Sequence, residues 1–450
     1  MKLLKVKDNR ALPKSDFAPI QGLVDKIADK TLSELEKEGV FVFPERIHDA
    51  PDIEEEQVVL QSYNTCYRTG NIMGFVGCGS ERLAIESRFS SGEQDYFFQY
   101  LLERVVGFPN VVDLSVGANQ ENMLFNLLLF LFPRYLKDAL RKGLFKTYIR
   151  NQYNDSHVAG SMDIPRHIAR NTPFVGNIAY SQQEYAYDND LTELVRHTIE
   201  FIRKKTCGRF LLPKVKEEVS LVVDATNRYR VHDKQRIIAA NQKTPVRHAY
   251  YREYRKLQHL CLLILQHQKH QIGAGNKQVY GILFDGAWLW EEYVNLLVRD
   301  VFYHPMNRVG QGAQRLFAGK AGLIYPDFIS RDSQNRVIGD AKYKPAENIG
   351  NKDYLQVLAY MLRFDAKKGF YFYPESTQVA EEHILWVNSG TTYEKNVKRR
   401  EDMCVIKHGL LIPGNSVDYE TFLCQISVAE IKFQEELLHS ISIDRQVENR

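Results

Sequence analysis

The sequence predicts a protein of several domains, with an α/β domain at the C-terminal end, an α+β domain at the N-terminal end and a mainly helical region between them. The chain has 450 residues, more than one ordinary domain holds, and 44% of them are apolar, which is enough for a buried core. Strand-like composition dominates 57–90, helical spacing dominates 191–271, and the two patterns alternate from residue 280 onward.

The N-terminal α+β domain is predicted to span 1–160. GLVDKIADKTLSELEKEG, ending at Gly39, predicts one amphipathic helix. TGN and CGSE turns are expected to separate the strands of 57–90. SSGEQDYFFQYLLERVVG predicts a helix capped by a serine, and helices are expected to continue to about residue 147 with a break at Pro133.

The middle region is predicted to span 161–275 and to be mainly helical. LTELVRHTIEFIRKK and the stretch 247–271 both have helical patterning, and the second has one apolar face and one basic face. A basic helix face is usually only solvated, and nucleic-acid binding is the alternative interpretation. GAGNKQ is expected to be a boundary loop.

Charge and cysteine content narrow the class of protein. The net charge of +3 permits nucleic acid as a partner without requiring it. The six cysteines are scattered singly, which argues against a zinc or iron–sulfur site. The N-terminus lacks a secretory apolar region, and the most apolar segment, 123–132, is too short to span a bilayer, so a cytoplasmic protein without membrane contact is expected.

The C-terminal domain is predicted to span 276–450 and to alternate helices with strands. The helices are predicted at YGILFDGAWLWEEYVNLLVRDVF and KDYLQVLAYMLRF, and the strands at LIYPDFIS, NRVIGDAKYK, KGFYFYP and HILWVNS. RDSQN between the first two strands supplies turn residues, so these strands are expected to form a hairpin.

That hairpin is expected to place Asp327 beside Asp340. Two neighbouring carboxylates repel each other, and a divalent cation such as Mg²⁺ resolves the conflict. Lys342 shares a strand face with Asp340, with Ala341 facing the core, and its ammonium can orient or activate a water molecule. The alternative interpretation is an ordinary hairpin with solvated side chains.

Two flanking helices strengthen the prediction of a site. Gln356 and Tyr360 lie four residues apart on one helical face, where an amide and a ring can contact nucleic acid. Upstream, either Glu291 or Glu292 could complete a metal site.

This ordered set resembles the PD-(D/E)XK nuclease superfamily, in the branch with a QxxxY helix. The resemblance implies a mixed central sheet flanked by helices, catalysis by Asp327, Asp340 and Lys342, and DNA contact by Gln356 and Tyr360. It also implies a Mg²⁺ site, with Mn²⁺ as a substitute, built from Glu291, Asp327, Asp340 and Ala341. LWEEYV matches the family pattern LFE-x-(Y/F)-V and favours Glu291 over Glu292.

A further resemblance, over roughly 65–375, is to the McrC family of McrBC-class and LlaJI-type restriction systems. It rests on IMGFVGCGSERLAIESRF, VAGSMDIPRHIARN and IAYSQQEYAYDNDLTELVRHTIEFI. It implies an endonuclease subunit that cleaves double-stranded DNA and works with, and stimulates, a McrB-like AAA+ GTPase contacted by the N-terminal domain. GQGAQRLFAGKAG lacks GxxxxGK[ST] spacing, so the chain itself is expected to bind no nucleotide.

Two other functions remain open from the sequence. One is a RecB-like exonuclease of DNA repair or processing, which would require DNA ends. The other is a non-catalytic assembly factor of an AAA+ motor that keeps the fold.

Overall fold

The computed structural model describes residues 2–43, 57–90, 92, 94–106, 120–205, 208–270, 279–305, 312–319, 321–376, 383–390 and 397–442. The chain forms two compact units: a first unit of Met1–Gly117 with Gly275–Arg450, and a second unit of Ala118–Ala274. The predicted domains were 1–160, 161–275 and 276–450. In the structure the second unit begins at residue 118, and the N-terminal and C-terminal parts belong to one unit because a strand after the second unit pairs with strands of the N-terminal sheet. The predicted boundary loop GAGNKQ lies outside the described residues.

The N-terminal part of the first unit combines short helices with strands. Its elements are β1 (Lys2–Lys7), β2 (Ala11–Pro13), a 3₁₀ turn (Lys14–Ile20), α1 (Gln21–Ile27), α2 (Leu32–Glu38), β3 (Val40–Phe43), β4 (Leu60–Ser62), β5 (Cys66–Thr69), β6 (Ile72–Cys78), β7 (Glu81–Glu86), α3 (Tyr96–Leu101) and a π-helical turn (Leu102–Val106).

The first 40 residues correct the prediction of a single helix. The chain forms α1 and α2 instead, because Thr31 and Glu34 build a capping box that starts a new helix. Gly39 ends α2 as predicted, in a left-handed conformation with φ of 114°. Helix α3 begins at Asp95, whose carboxylate accepts the N–H of Phe98, so an aspartate replaces the expected serine cap.

The second unit contains a three-stranded sheet beside its helices. Its elements are α4 (Gln120–Leu140), β8 (Thr147–Asp155), β9 (Ser161–Met162), α5 (Ile164–Arg170), β10 (Ile178–Ala186), α6 (Asp190–Arg203), α7 (Gly208–Leu211), α8 (Lys216–Ala225), α9 (Lys234–Lys243) and α10 (Arg252–His270), with 3₁₀ turns at Leu212–Val215, Val231–Asp233 and Ala249–Tyr251. Strand β10 pairs antiparallel with β8 and β9.

Helix α4 passes through Pro133 without the predicted break. A proline removes one backbone hydrogen bond. The residues around it, from Leu128 to Phe132, are buried, so tertiary packing of that face outweighs the loss. Among the described residues, no helix is long and apolar enough to cross a membrane.

The C-terminal part of the first unit alternates strands and helices, as predicted. Its elements are β11 (Val279–Asp285), α11 (Gly286–Val298), β12 (Phe302–Tyr303), β13 (Gln314–Arg315), β14 (Leu323–Ile324), β15 (Phe328–Ser330), β16 (Val337–Ala341), a 3₁₀ turn (Ala346–Asn348), α12 (Asn351–Phe364), β17 (Lys368–Glu375), β18 (His383–Ser389), β19 (Lys398–Leu411) and α13 (Tyr419–Ser442).

Two sheets dominate the first unit, and a three-stranded sheet (β2-β5-β4) and a two-stranded one (β13-β14) complete it. The five-stranded sheet has the order β1-β7-β6-β11-β3, so the segment predicted as a single helix from residue 280 begins with a central strand. The six-stranded sheet has the order β12-β15-β16-β17-β19-β18. This sheet is mixed. Strand β17 runs parallel to both β16 and β19. The pairs β12–β15, β15–β16 and β18–β19 are antiparallel. Helix α12 packs against β16 and β17, which gives the expected α/β arrangement.

Candidate active site

The hairpin of β15 and β16 sets the register of the site. Phe328 pairs with Gly339, and continuing this antiparallel register by one residue sets Asp327 opposite Asp340, as predicted. The turn is held by Asp332, whose carboxylate accepts the N–H groups of Gln334 and Asn335. A Cβ at Gly339 would lie 2.5 Å from a ring carbon of Phe372, so glycine permits the close packing of β16.

Asp327 stands at the centre of the acidic cluster. Its Oδ2 accepts the N–H of Ala341 at 2.8 Å, which joins the two strands beyond their last ladder pair. Burial, followed by the charges of Glu291 and Asp340, raises the pKa of Asp327 well above its usual range. Ionisation of the carboxyl group in this position is therefore unfavourable unless a metal cation binds beside it.

Asp340 is the most enclosed acidic residue of the site, at 1% exposure. Its Oδ2 lies 2.7 Å from Nζ of Lys342 and forms an ion pair with it. Burial raises the pKa of Asp340 although the lysine opposes the shift. Asp340 and Lys342 share one side of the strand, as their ion pair shows, and Asp340 is buried whereas Ala341 and Lys342 are both partly exposed.

Lys342 is held between carboxylates and an amide. Burial alone would lower the pKa of Lys342, but Asp340 and Asp327 outweigh it and raise the pKa above its ordinary value. Nζ donates to Oε1 of Gln356 at 3.1 Å, and the Gln356 amide donates to the Tyr360 hydroxyl at 2.6 Å. The ammonium is therefore a fixed positive charge rather than a proton acceptor.

The two residues of the predicted DNA-contacting face of α12 have different surroundings. Gln356 is exposed, as a DNA contact requires. Tyr360 is only 2% exposed and belongs to the core between α12 and the sheet, with Val357 and Met361. Direct stacking of the Tyr360 ring on DNA is therefore not possible in this arrangement, and its hydroxyl instead holds Gln356.

On helix α11, the charge of Glu291 acts on Asp327 more strongly than that of Glu292. After burial, the charge of Glu291 is the main influence that raises the pKa of Asp327. Glu292 instead accepts a hydrogen bond from Nε1 of Trp288 at 3.3 Å. The effect of Glu291 on the pKa of Asp327 and the hydrogen bond between Glu292 and Trp288 thus favour Glu291, as the sequence pattern does.

The sequence prediction missed His304, which connects α11 with the hairpin. Its Nδ1 lies 2.7 Å from the backbone oxygen of Asp327, and this oxygen can only accept, so Nδ1 carries the proton. Its Nε2 lies 3.6 Å from Glu291. Burial lowers the pKa of His304, but the contacts with Glu292, Asp327 and Glu291 raise it overall. A single histidine after a short strand gave no sequence signal.

A second lysine–aspartate pair, also missed, ties the end of β16 to α12. Nζ of Lys344 lies 2.6 Å from Oδ2 of Asp353, and this oxygen also accepts the N–H of Gly350 at the start of the helix. Oδ1 of Asp353 lies 3.8 Å from Nζ of Lys342. The pair fixes the helix that carries Gln356.

The donor chemistry suits a hard divalent cation. The predicted ligands Glu291, Asp327, Asp340 and the backbone of Ala341 supply only oxygen, which Mg²⁺ prefers. Both aspartates have raised pKa values that a cation would lower. Within the described ranges, however, no three His, Cys, Asp or Glu side chains already converge as a metal-holding group. Water and substrate oxygens would have to complete the coordination.

Comparison with known proteins gives the family. No curated protein matches the chain. One similar solved structure is the refined half-complex of Thermococcus gammatolerans McrB AAA+ hexamers with bound McrC, with 16% identity, 97% of this chain and 100% of that chain covered, and a TM-score of 0.49. Another is the cryo-EM structure of the Thermococcus gammatolerans McrBC complex, with 17% identity, coverage of 66% and 88%, and a TM-score of 0.31. The model of the family "McrBC 5-methylcytosine restriction system component" matches residues 67–374, more than half of the 450 residues. The chain therefore belongs to the family of McrBC restriction-system components.

Proposed function

We propose that this chain is the DNA-cleaving subunit of a McrBC-like restriction system, a Mg²⁺-dependent endonuclease with a PD-(D/E)XK core that acts on double-stranded DNA in the cytoplasm. The observation that carries the proposal is the cluster of Asp327, Asp340 and Lys342 at one end of a mixed sheet. Membership of a restriction-system family supports it.

Asp327, Asp340, the carbonyl of Ala341 and Glu291 would hold the cation. The chemistry that Mg²⁺ supplies in such a site is Lewis-acid stabilisation of the charge on a phosphate. In the reaction, a water oxygen adds to phosphorus and one ester P–O bond breaks. Lys342 contributes a fixed positive charge beside the scissile phosphate, where negative charge grows in the transition state.

The remaining residues of the site position these groups. Gln356 orients the ammonium of Lys342 through its amide oxygen and, being exposed, can also reach the DNA backbone. His304 supports the backbone at Asp327 and lies beside Glu291. Such supporting contacts typically affect activity or metal affinity about 10- to 100-fold.

The proposed partner is a McrB-like AAA+ GTPase, contacted and stimulated through the N-terminal domain. The motor must be another protein, because the sequence contains no GxxxxGK[ST] motif. The similar structure from Thermococcus gammatolerans is described as McrB hexamers with bound McrC, which is the arrangement proposed for this chain.

A non-catalytic assembly factor is the second candidate, favoured by the lack of a preformed three-side-chain metal group in the described part of the chain. The test is incubation of covalently closed circular DNA with the chain, its partner, GTP and Mg²⁺. Nicking or linearisation that stops with EDTA is expected. An exonuclease of the RecB type would spare the circle and degrade linear DNA, whereas an assembly factor would hydrolyse GTP with its partner and spare both.

A further inference from the structure

The second unit carries a group of surface tyrosines outside the proposed cleavage site. Tyr148, Tyr185, Tyr187 and Tyr250 have relative exposures between 44% and 70%. Tyr148 and Tyr185 face each other across β8 and β10, with ring centroids 5.0 Å apart. We call these four residues, with Lys142 and Lys146, the tyrosine patch. Exposed aromatic groups concentrated in this way usually mark a binding surface.

Lysine ammonium groups lie over the rings of the patch. Nζ of Lys146 is 4.4 Å from the ring centroid of Tyr187 and 5.3 Å from that of Tyr185. Nζ of Lys142 is 5.2 Å from the Tyr250 centroid. Lys142 also bonds the Glu253 carboxylate, which neutralises part of its charge, so Lys146 is the main cation of the patch.

Ring contacts also hold the helical side of the patch together. Phe145, next to Lys146 in the chain, packs edge-on against Tyr251 with centroids 5.2 Å apart. Tyr251 contacts the ring of Tyr250 at 4.9 Å. Tyr148 and Tyr185 are held by their mutual ring contact and by Lys146, so a ligand that stacks on them meets a partly preorganised surface.

We propose that the tyrosine patch binds single-stranded nucleic acid, with unpaired bases stacked on Tyr148 and Tyr185 and phosphates placed near Lys146. Every base has an aromatic face, so stacking needs no sequence, and nearby cations complement the backbone charge. In a duplex the base faces are already stacked on each other, which makes an unpaired strand the fitting ligand. The proposal goes beyond the cleavage function, because it needs neither metal nor an intact Asp340.

The test measures binding of a fluorescent oligothymidine to the full chain in EDTA. Replacing both Tyr148→Ala and Tyr185→Ala should weaken binding at least about tenfold, as loss of base stacking does. Tyr148→Phe with Tyr185→Phe keeps the rings and should bind like the unaltered chain. Lys146→Met should reduce the dependence of affinity on salt. Phe210→Ala, another exposed aromatic residue of the second unit, is the matched control and should have no effect.

The readout is independent of cleavage, so Asp340→Asn should bind oligothymidine normally even if it cleaves no DNA. Thermal unfolding checks that the alanine variants remain folded. Unchanged oligothymidine binding by the double alanine variant would overturn the proposal. An equal loss in the phenylalanine pair or in Phe210→Ala would also overturn it. So would a double alanine variant that binds oligothymidine normally but no longer assembles with the AAA+ partner, since the patch would then be a protein interface.

Discussion

Nζ of Lys342 lies 2.7 Å from Oδ2 of Asp340, a carboxylate that is only 1% exposed. The two residues are two positions apart at the end of β16, so the pair follows directly from the alternation of a strand. Burying either charge without its partner has a large free-energy cost. The pair thus couples the stability of the C-terminal sheet to the charge of the proposed cleavage site.

Removal of the ammonium should impair cleavage. Lys342→Met is expected to lower kcat by roughly 10²- to 10³-fold, the usual effect of losing one group that stabilises transition-state charge. Plasmid cleavage with the AAA+ partner measures it. Lys344→Met is the matched control: it removes a neighbouring lysine that pairs with Asp353 and should retain more activity. Equal losses in the two variants would contradict a specific role for Lys342.

The same substitution should destabilise the fold through the carboxylate that it leaves behind. Breaking a buried ion pair on one side costs up to about 3–5 kcal/mol. Lys342→Met should therefore reduce the free energy of unfolding in urea, and Asp340→Asn combined with Lys342→Met should recover part of the loss. A double variant as unstable as the sum of the two single variants would show that the residues are not coupled.

Tyr360 should act on catalysis only through Gln356. Tyr360→Phe keeps the buried ring but removes the hydroxyl that accepts the Gln356 amide at 2.6 Å. We expect a moderate fall in kcat, because Gln356 then orients Lys342 less well, and any change in KM for DNA would arise through Gln356, since Tyr360 itself is only 2% exposed. Steady-state kinetics over a range of DNA concentrations measures kcat and KM of the variant separately. An increase in KM with kcat unchanged would contradict the role of Tyr360 in orienting Lys342 and would limit its effect to the DNA contact of Gln356.

His304 should position the acidic side of the site. His304→Leu removes the contact with the Asp327 carbonyl and is expected to lower activity about 10- to 100-fold, with a higher Mg²⁺ concentration for half-maximal cleavage. His304→Asn can keep a donor near the Nδ1 position and should recover part of the loss. If both variants titrate with Mg²⁺ like the unaltered chain, the histidine has no role in metal binding.

Acid should destabilise the second unit through His197. Burial first, then the charges of Lys234, Arg236 and Arg196, lower the pKa of His197 from 6.5 to about 4, although Asp233 opposes the shift. The unfolded chain binds this proton below pH 6.5 and the folded chain only near pH 4. Stability is thus present above pH 6.5 and is lost as the pH falls to about 4, with a slope of at most about 1.4 kcal/mol per pH unit.

Unfolding curves between pH 7 and pH 4 measure this loss. His197→Phe should flatten the dependence, since the variant carries no titrating group at that position. His248→Phe, which alters an exposed histidine of the same unit, should leave the slope unchanged. A slope that survives His197→Phe would assign the acid sensitivity to other groups.

The sequence predicted those parts of the site that depend on residues close together in the chain. The turn residues of RDSQN set the hairpin, and the hairpin aligned Asp327 with Asp340. Alternation put Lys342 beside Asp340, and helical spacing put Gln356 beside Tyr360. In each case the interacting residues are close in sequence or joined by one short turn.

What the sequence did not show depends on distant packing. The strand from Val279 was predicted as helix because its neighbours, β6 and β3, lie some 200 residues earlier in the chain. The burial of Tyr360 and Asp340 was missed for the same reason, since α12 and the neighbouring strands enclose them. The pairing of β12 with β15 brings His304 to Asp327, and no local sequence pattern predicts this pairing.

The decisive measurement for the assignment of the cleavage site is cleavage of circular DNA by Asp340→Asn in the presence of the AAA+ partner, GTP and Mg²⁺. We expect Asp340→Asn to remain folded and to stimulate GTP hydrolysis normally, but to cleave no DNA. Asp402→Asn, the same substitution at an exposed aspartate paired with Arg400, should cleave normally. Retained cleavage by Asp340→Asn would contradict the assignment of Asp327, Asp340 and Lys342 as the cleavage site.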